Sequence, residues 1–183
     1  MTDVDFETLE AIMISVPELR QLEARKNSIG LTEQERERWS ILYENIIRLF
    51  GQEHAGLAQQ RAAFRIPIRL KVDYQINQEK FYSMSHDISI NGIAVDFTHV
   101  IPLDAIAQMQ LGIQFSTFLG LWKKKHIPVK AQVRWIDQKA NRIGFQFIGV
   151  PYQFQEAIQK EIYSALNHKI HLSLKSSTTH ARN

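Results

Sequence analysis

From Ile66 onward the apolar residues recur at every second position, and they do so in six successive segments. Ile66, Ile68, Leu70, Val72 and Tyr74 form the first, and Phe81 to Ile90 the second. Ile93-Val95-Phe97, Met109-Leu111-Ile113-Phe115, Ile127-Val129-Ala131-Val133-Trp135 and Ile143-Phe145-Phe147 follow. A period of two gives each segment one apolar face, which is the signature of a half-buried strand. Turn residues such as Ile76-Asn77-Gln78 and Lys139-Ala140-Asn141 punctuate the run. No long helical stretch intervenes, so the strands are expected to pair antiparallel rather than through βαβ crossovers. Six short strands with one inward face each predict closure into a small barrel, which leaves no exposed edge. In this register Trp135 faces the core, and Lys123-Lys124-Lys125 reads as a solvated hairpin tip.

The flanks follow a different period. Residues 1–57 read as a helical region. Ser15-Val16-Pro17-Glu18 has the form of a helix start, with a Ser cap, Pro in the first turn and Glu three residues after the Ser. Thr32-Glu33-Gln34-Glu35 repeats that pattern and opens a helix to about Phe50, on which Trp39, Leu42, Tyr43, Ile46, Ile47 and Leu49 make a broad apolar stripe. The stripe must be covered, either within its own domain or by a second copy of the chain. Residues 51–60, with two Gly and little periodicity, read as a linker. Pro151 opens a last amphipathic helix with Phe154, Ile158, Ile162 and Leu166 on one face. The barrel and this helix are expected over residues 58–174, and 175–183 as a disordered polar tail.

Charge divides along the same line. Residues 1–60 carry six Lys and Arg against eleven Asp and Glu, whereas residues 61–183 carry sixteen against eight. The barrel half is the part that attracts an anion. The chain has no cysteine, which removes disulfide and thiolate chemistry and fits a reducing cytoplasm. No apolar run approaches the ~18 residues of a membrane span. The seven histidines are scattered; His168 and His171 lie three apart without an evident third ligand, so no metal site is expected. Neither a phosphate-binding loop, nor a nucleophile elbow, nor paired carboxylates occur, and the chain reads as a binding protein rather than an enzyme.

Two short motifs stand in the basic half. Arg61 and Arg65 lie four apart in "RAAFR", on the lead-in to the first strand. After 20 residues comes "HDISINGIAVDF", in which Asp87, Ser89 and Gly92 fall at the spacing D-x-S-x-x-G between two strands. A guanidinium fork can grip a guanine edge bidentately, pair with a phosphate or lie flat on a purine. A carboxylate can accept from a guanine N–H edge or orient the arginines, and a Ser hydroxyl with nearby N–H groups suits a phosphate. Gly92 is expected to allow a left-handed turn beside the ligand. The set suits an anionic guanine nucleotide held on the outside of a barrel. Alone, either motif equally describes a solvated loop or a bulged turn.

With both motifs in order the chain resembles the PilZ domain, a bacterial receptor family for cyclic di-GMP. The family signature is RxxxR, a spacer, then (D/N)x(S/A)xxG, and every signature position is filled here. "VKAQVRWIDQKANRIGFQF" is similar to the family's closing hairpin, and the resemblance covers roughly residues 58–170. It implies a mainly β fold with flanking helices: a six-stranded antiparallel barrel, a C-terminal helix over one mouth, and here a preceding helical region. It also implies that Arg61 and Arg65 hold guanine and phosphate edges, that Asp87 and Ser89 contact the ligand from the wall, and that Gly92 shapes the turn. Gln60 and Asn91 flank these positions as additional candidates. Gln60 stands where an Arg accompanies an intercalated nucleotide pair, which points to a single nucleotide. The resemblance implies cyclic di-GMP as ligand and no other cofactor; a protein partner is expected through the N-terminal helices, which the resemblance does not cover. A nucleotide-independent interaction module is the rival reading. Single-stranded nucleic acid is not an expected partner, because the aromatic positions alternate inward and leave no stacking platform.

Overall fold

The computed structural model describes residues 6–49, 63–97, 99–116 and 122–180. The linker expected at 51–60 therefore lies outside the described residues, as do Gln60 and Arg61. The chain divides into two compact units, residues 1–64 with 164–183, and residues 65–163.

The first unit begins with α1 (Phe6–Ser28) and α2 (Glu33–Leu49). The start expected at Ser15 is not a start: α1 runs through it, with Pro17 inside the helix. Leu9, Ile12, Val16, Leu19 and Leu22 continue one buried face across the whole segment, and that shared burial overrides the local cap signal. The Ser15 hydroxyl donates instead to the carbonyl of Ala11, one turn back. The second capping box forms as expected. The Thr32 N–H donates to Glu35 Oε2 at 3.0 Å, and the Glu35 N–H to Thr32 Oγ1 at 3.3 Å. Trp39, Leu42, Tyr43, Ile46 and Ile47 of α2 are buried, so the apolar stripe is covered within the chain. Arg38 grips Glu18 with two bonds of 2.8 and 2.7 Å across the hairpin.

The second unit is the barrel. Its strands are β1 (Lys71–Ile76), β2 (Glu79–Ser89), β3 (Gly92–Asp96), β4 (Ile106–Ser116), β5 (Trp122–Asp137) and β6 (Arg142–Ile148). They close in the order β1-β2-β3-β6-β5-β4, every pair antiparallel. The interior is filled by the alternating residues the sequence marks, among them Val72, Ile88, Ile93, Leu111, Ile127 and Ile143. Asn77 and Gln78 both take positive φ, 48° and 73°, the conformation that matches a two-residue hairpin turn to strand twist.

Three strand expectations need correction. Lys123-Lys124-Lys125 lie within β5, paired with Phe115, Gln114 and Ile113 of β4, and not at a hairpin tip. The first apolar segment becomes a ladder only from Lys71; before it, Ile66 makes a single bridge to Ile88, and Pro67 has no N–H to continue the pairing. Trp135 faces outward, because a bulge between Val133 and Trp135 inserts Arg134 and reverses the alternation.

α3 (Tyr152–His180) starts after Pro151 and buries Ile158, Ile162, Leu166 and Ile170. It continues through 175–180 where a disordered tail is expected, since extending a running helix is far easier than nucleating one. Glu161, on the stretch of α3 that belongs with the barrel, lines a cleft with Ile68, Leu70 and Met84. Burial pushes its carboxyl up to about 7. The fold therefore favours the protonated form. This contribution is complete below the ordinary value of 4.5 and is lost as pH rises through about 7. Glu161→Gln is expected to stabilise the protein at pH 8 by about 1–2 kcal/mol, after discounting for a half-exposed side chain. At pH 4 it should change nothing; urea unfolding at the two values gives the comparison.

Candidate functional site

The five residues before β1 carry the motif arginine onto the barrel wall. Ile66 and Ile88 exchange both backbone bonds, at 3.1 and 3.0 Å, and Ser85 bonds the backbone of Leu70 and Ile68. In this short antiparallel stretch Ile66 and Ile88 turn inward. Arg65 and Asp87 consequently emerge on the outer face, whereas Ser89 is buried, 1% exposed. Arg65 Nη1 donates to Asp87 Oδ1 at 3.3 Å, and both side chains stay about a quarter exposed. Two residues that stand 22 apart in sequence thus meet as a half-buried ion pair.

Ser89 sits at the end of β2 with its hydroxyl engaged inside the hairpin. It accepts from the N–H of Asn91 and donates to the carbonyl of Gly92, both at 3.3 Å. Asn91 is exposed at the turn, and its carbonyl accepts from Phe147 N–H at 2.9 Å.

Gly92 does not take the left-handed conformation expected of it; among the described glycines only Gly30 and Gly149 do. Its requirement is space. A Cβ at Gly92 would lie 2.3 Å from the carbonyl oxygen of Phe145 on the neighbouring strand. The glycine lets β3 and β6 approach where the motif crosses the wall.

The register extends the wall sideways. Asp87 lies opposite Ala94, Ala94 opposite Gly144, and Gly144 opposite Trp135, one row across β2, β3, β6 and β5. Trp135 lies flat over Gly144, where a Cβ would fall 2.1 Å from the indole, and it stays 38% exposed. With strands ~4.8 Å apart, the row spans about 14 Å of wall from the Asp87 backbone to that of Trp135. Alternation places Trp135 in the core, and only the PilZ resemblance puts its counterpart near a ligand wall; the structure lays Trp135 and Gly144 on the outer row. The bulge leaves no trace in residue types, yet a glycine within a strand pattern marks a close approach and was a usable signal.

Farther along β3, Asp96 accepts from Arg69 Nη2 at 2.9 Å and pairs with His86, the residue that bulges from β2. Among the described residues no group of three metal-ligating side chains comes together. No helix among them is long and apolar enough to cross a membrane.

Fold and site together define a closed antiparallel barrel whose interior is packed with side chains and whose outer wall carries the charged and small residues. The PilZ domain family model matches residues 59–164, more than half of the chain. The chain belongs to the PilZ domain family. Among solved structures it is similar to Escherichia coli YcgR in complex with c-di-GMP (TM-score 0.53, 18% identity, 64% of this chain and 51% of that one). It also matches the Bacillus subtilis inhibitor of motility MotI/DgrA (TM-score 0.47, 22% identity, 58% of this chain and 52% of that one). The chain thus spans about half the length of these two proteins. No curated protein matches its sequence.

Proposed function

We propose that the chain is a cyclic di-GMP receptor without enzymatic activity, acting in the cytoplasm. Nucleotide binding would alter the contacts of its N-terminal helices with a protein partner in motility, pilus or biofilm control. One observation carries this reading. The last arginine of RxxxR and the acid of DxSxxG, far apart in sequence, are paired on the outer wall. Family membership supports the ligand class, and the E. coli protein whose fold this barrel shares is itself in complex with c-di-GMP.

In this reading Arg65 exchanges part of its bond to Asp87 for a phosphate or guanine edge, and Asp87 accepts from the guanine N–H edge. Ser89 and Asn91 act through the turn they hold, Gly92 keeps the wall flat, and Arg61 and Gln60 complete the lead-in. Trp135 offers a base a stacking surface at the other end of the row. Trp135→Ala should leave the unfolding midpoint nearly unchanged and weaken nucleotide binding about tenfold, within the 1–3 kcal/mol typical of base–aromatic stacking.

The specificity test is competition against labelled cyclic di-GMP. GMP and cyclic di-AMP should compete poorly, because they lack a second base or present wrong edges to Arg65 and Asp87. Equal competition by all three rejects a guanine-dinucleotide site. The engagement of the Ser89 hydroxyl within its own hairpin favours the rival, a nucleotide-independent docking module. That rival predicts partner capture indifferent both to added nucleotide and to Arg61→Ala.

A further inference from the structure

Phe64 is the residue bonded directly to Arg65, and it is held by the helical unit to which it belongs. Glu23 of α1 is only 2% exposed, yet each of its carboxylate oxygens is engaged. Oε1 accepts from the backbone N–H of Phe64 at 2.7 Å, and Oε2 accepts from the indole N–H of Trp39 at 2.6 Å. Burial raises the pKa of this carboxyl, and the Phe64 and Trp39 donors act against that rise. Around it the Phe64 ring meets Tyr43 edge-on at 5.1 Å, Tyr43 lies 5.1 Å from Trp39, and Lys26 Nζ sits 3.3 Å above the Trp39 ring.

A buried carboxylate is costly, and a plain core would use an apolar residue at this position. This one reaches a backbone N–H 41 residues away in sequence. That N–H lies inside the R-x-x-x-R motif, between its two arginines. The boundary between the two compact units falls at the next peptide bond, so the motif itself is divided between them.

We propose that Glu23 is a positioning residue for the nucleotide site: by fixing the backbone of Phe64 it presets Arg65 and couples ligand binding to the α1–α2 hairpin. This rests on the nucleotide reading above. The coupling is reciprocal. If an intact Glu23–Phe64 bond favours binding, bound nucleotide must favour that bond to the same extent. Glu23 links Phe64 to Trp39, and Tyr43 packs between the Trp39 and Phe64 rings, so a change at Phe64 is felt within the α1–α2 hairpin.

The test reads both directions. Cyclic di-GMP is titrated into the intact protein while the indole N–H resonance of Trp39 is followed, assigned by its loss in Trp39→Phe. A saturable shift with the midpoint of the binding curve is expected. Glu23→Gln places an amide where two donors converge and should lower affinity about tenfold. Arg38→Ala, which breaks the exposed Arg38–Glu18 pair of the same hairpin, should leave affinity unchanged. A Trp39 signal unmoved at saturation overturns the proposal, as does full affinity in a folded Glu23→Gln variant. Should that variant not fold, the Trp39 signal of the intact protein decides. If the intact protein binds no cyclic di-GMP, the nucleotide reading itself fails and this proposal falls with it, a result separable from the others.

Discussion

Arg65→Ala is expected to weaken cyclic di-GMP binding by about 100-fold while leaving the barrel folded. The guanidinium is the one cation placed against the Asp87–Gly92 hairpin among the described residues of the motif. Its charge-assisted bonds to a phosphate or guanine edge are each worth about 1.5–3 kcal/mol, and a loss of ~2.7 kcal/mol is a hundredfold in Kd. Truncation also leaves the Asp87 carboxylate unpaired beside an anionic ligand, which adds repulsion to the lost attraction. The cost to stability should be small, since a partly exposed ion pair contributes at most about 1 kcal/mol. Calorimetry and urea unfolding of the same preparation separate the two effects. A variant that binds as the parent does would remove Arg65 from the site.

The second large effect is on the fold. Gly92→Ala drives a methyl to 2.3 Å from the Phe145 carbonyl oxygen, a backbone atom held in the β3–β6 ladder. No side-chain rotation relieves that contact, so the ladder must move. We expect a loss of about 3 kcal/mol, at the upper end of overpacking costs, read as a lower midpoint in urea unfolding. Nucleotide binding should fall with it, because β3 pairs directly with β2, the strand that carries Asp87. A change under about 0.5 kcal/mol would show that β3 and β6 do not approach as described.

The barrel was legible because burial imposes a period of two on every strand, and six such runs without intervening helices admit few topologies. The approach of the two motifs was legible in their order and spacing: Arg65 and Asp87 pair. What was not legible traces to features that alternation cannot encode. A single inserted residue, Arg134, turned Trp135 from core to wall. A close strand approach, and no left-handed turn, explains Gly92. At the N-terminus a local cap signal at Ser15 lost to a longer apolar face, the usual outcome when tertiary burial and local propensity disagree. Glu23 gave no sign in sequence, because a buried carboxylate reads as any surface glutamate until its donors are seen. Arg61 and Gln60, outside the described residues, stand on the resemblance alone.

The outer wall around Arg65 and Asp87 either receives a cyclic guanine dinucleotide or does not. Calorimetric titration of the intact chain with cyclic di-GMP tests this most directly. The predicted result is saturable binding at micromolar affinity or tighter, with one nucleotide per chain. No detectable binding by folded protein would contradict it.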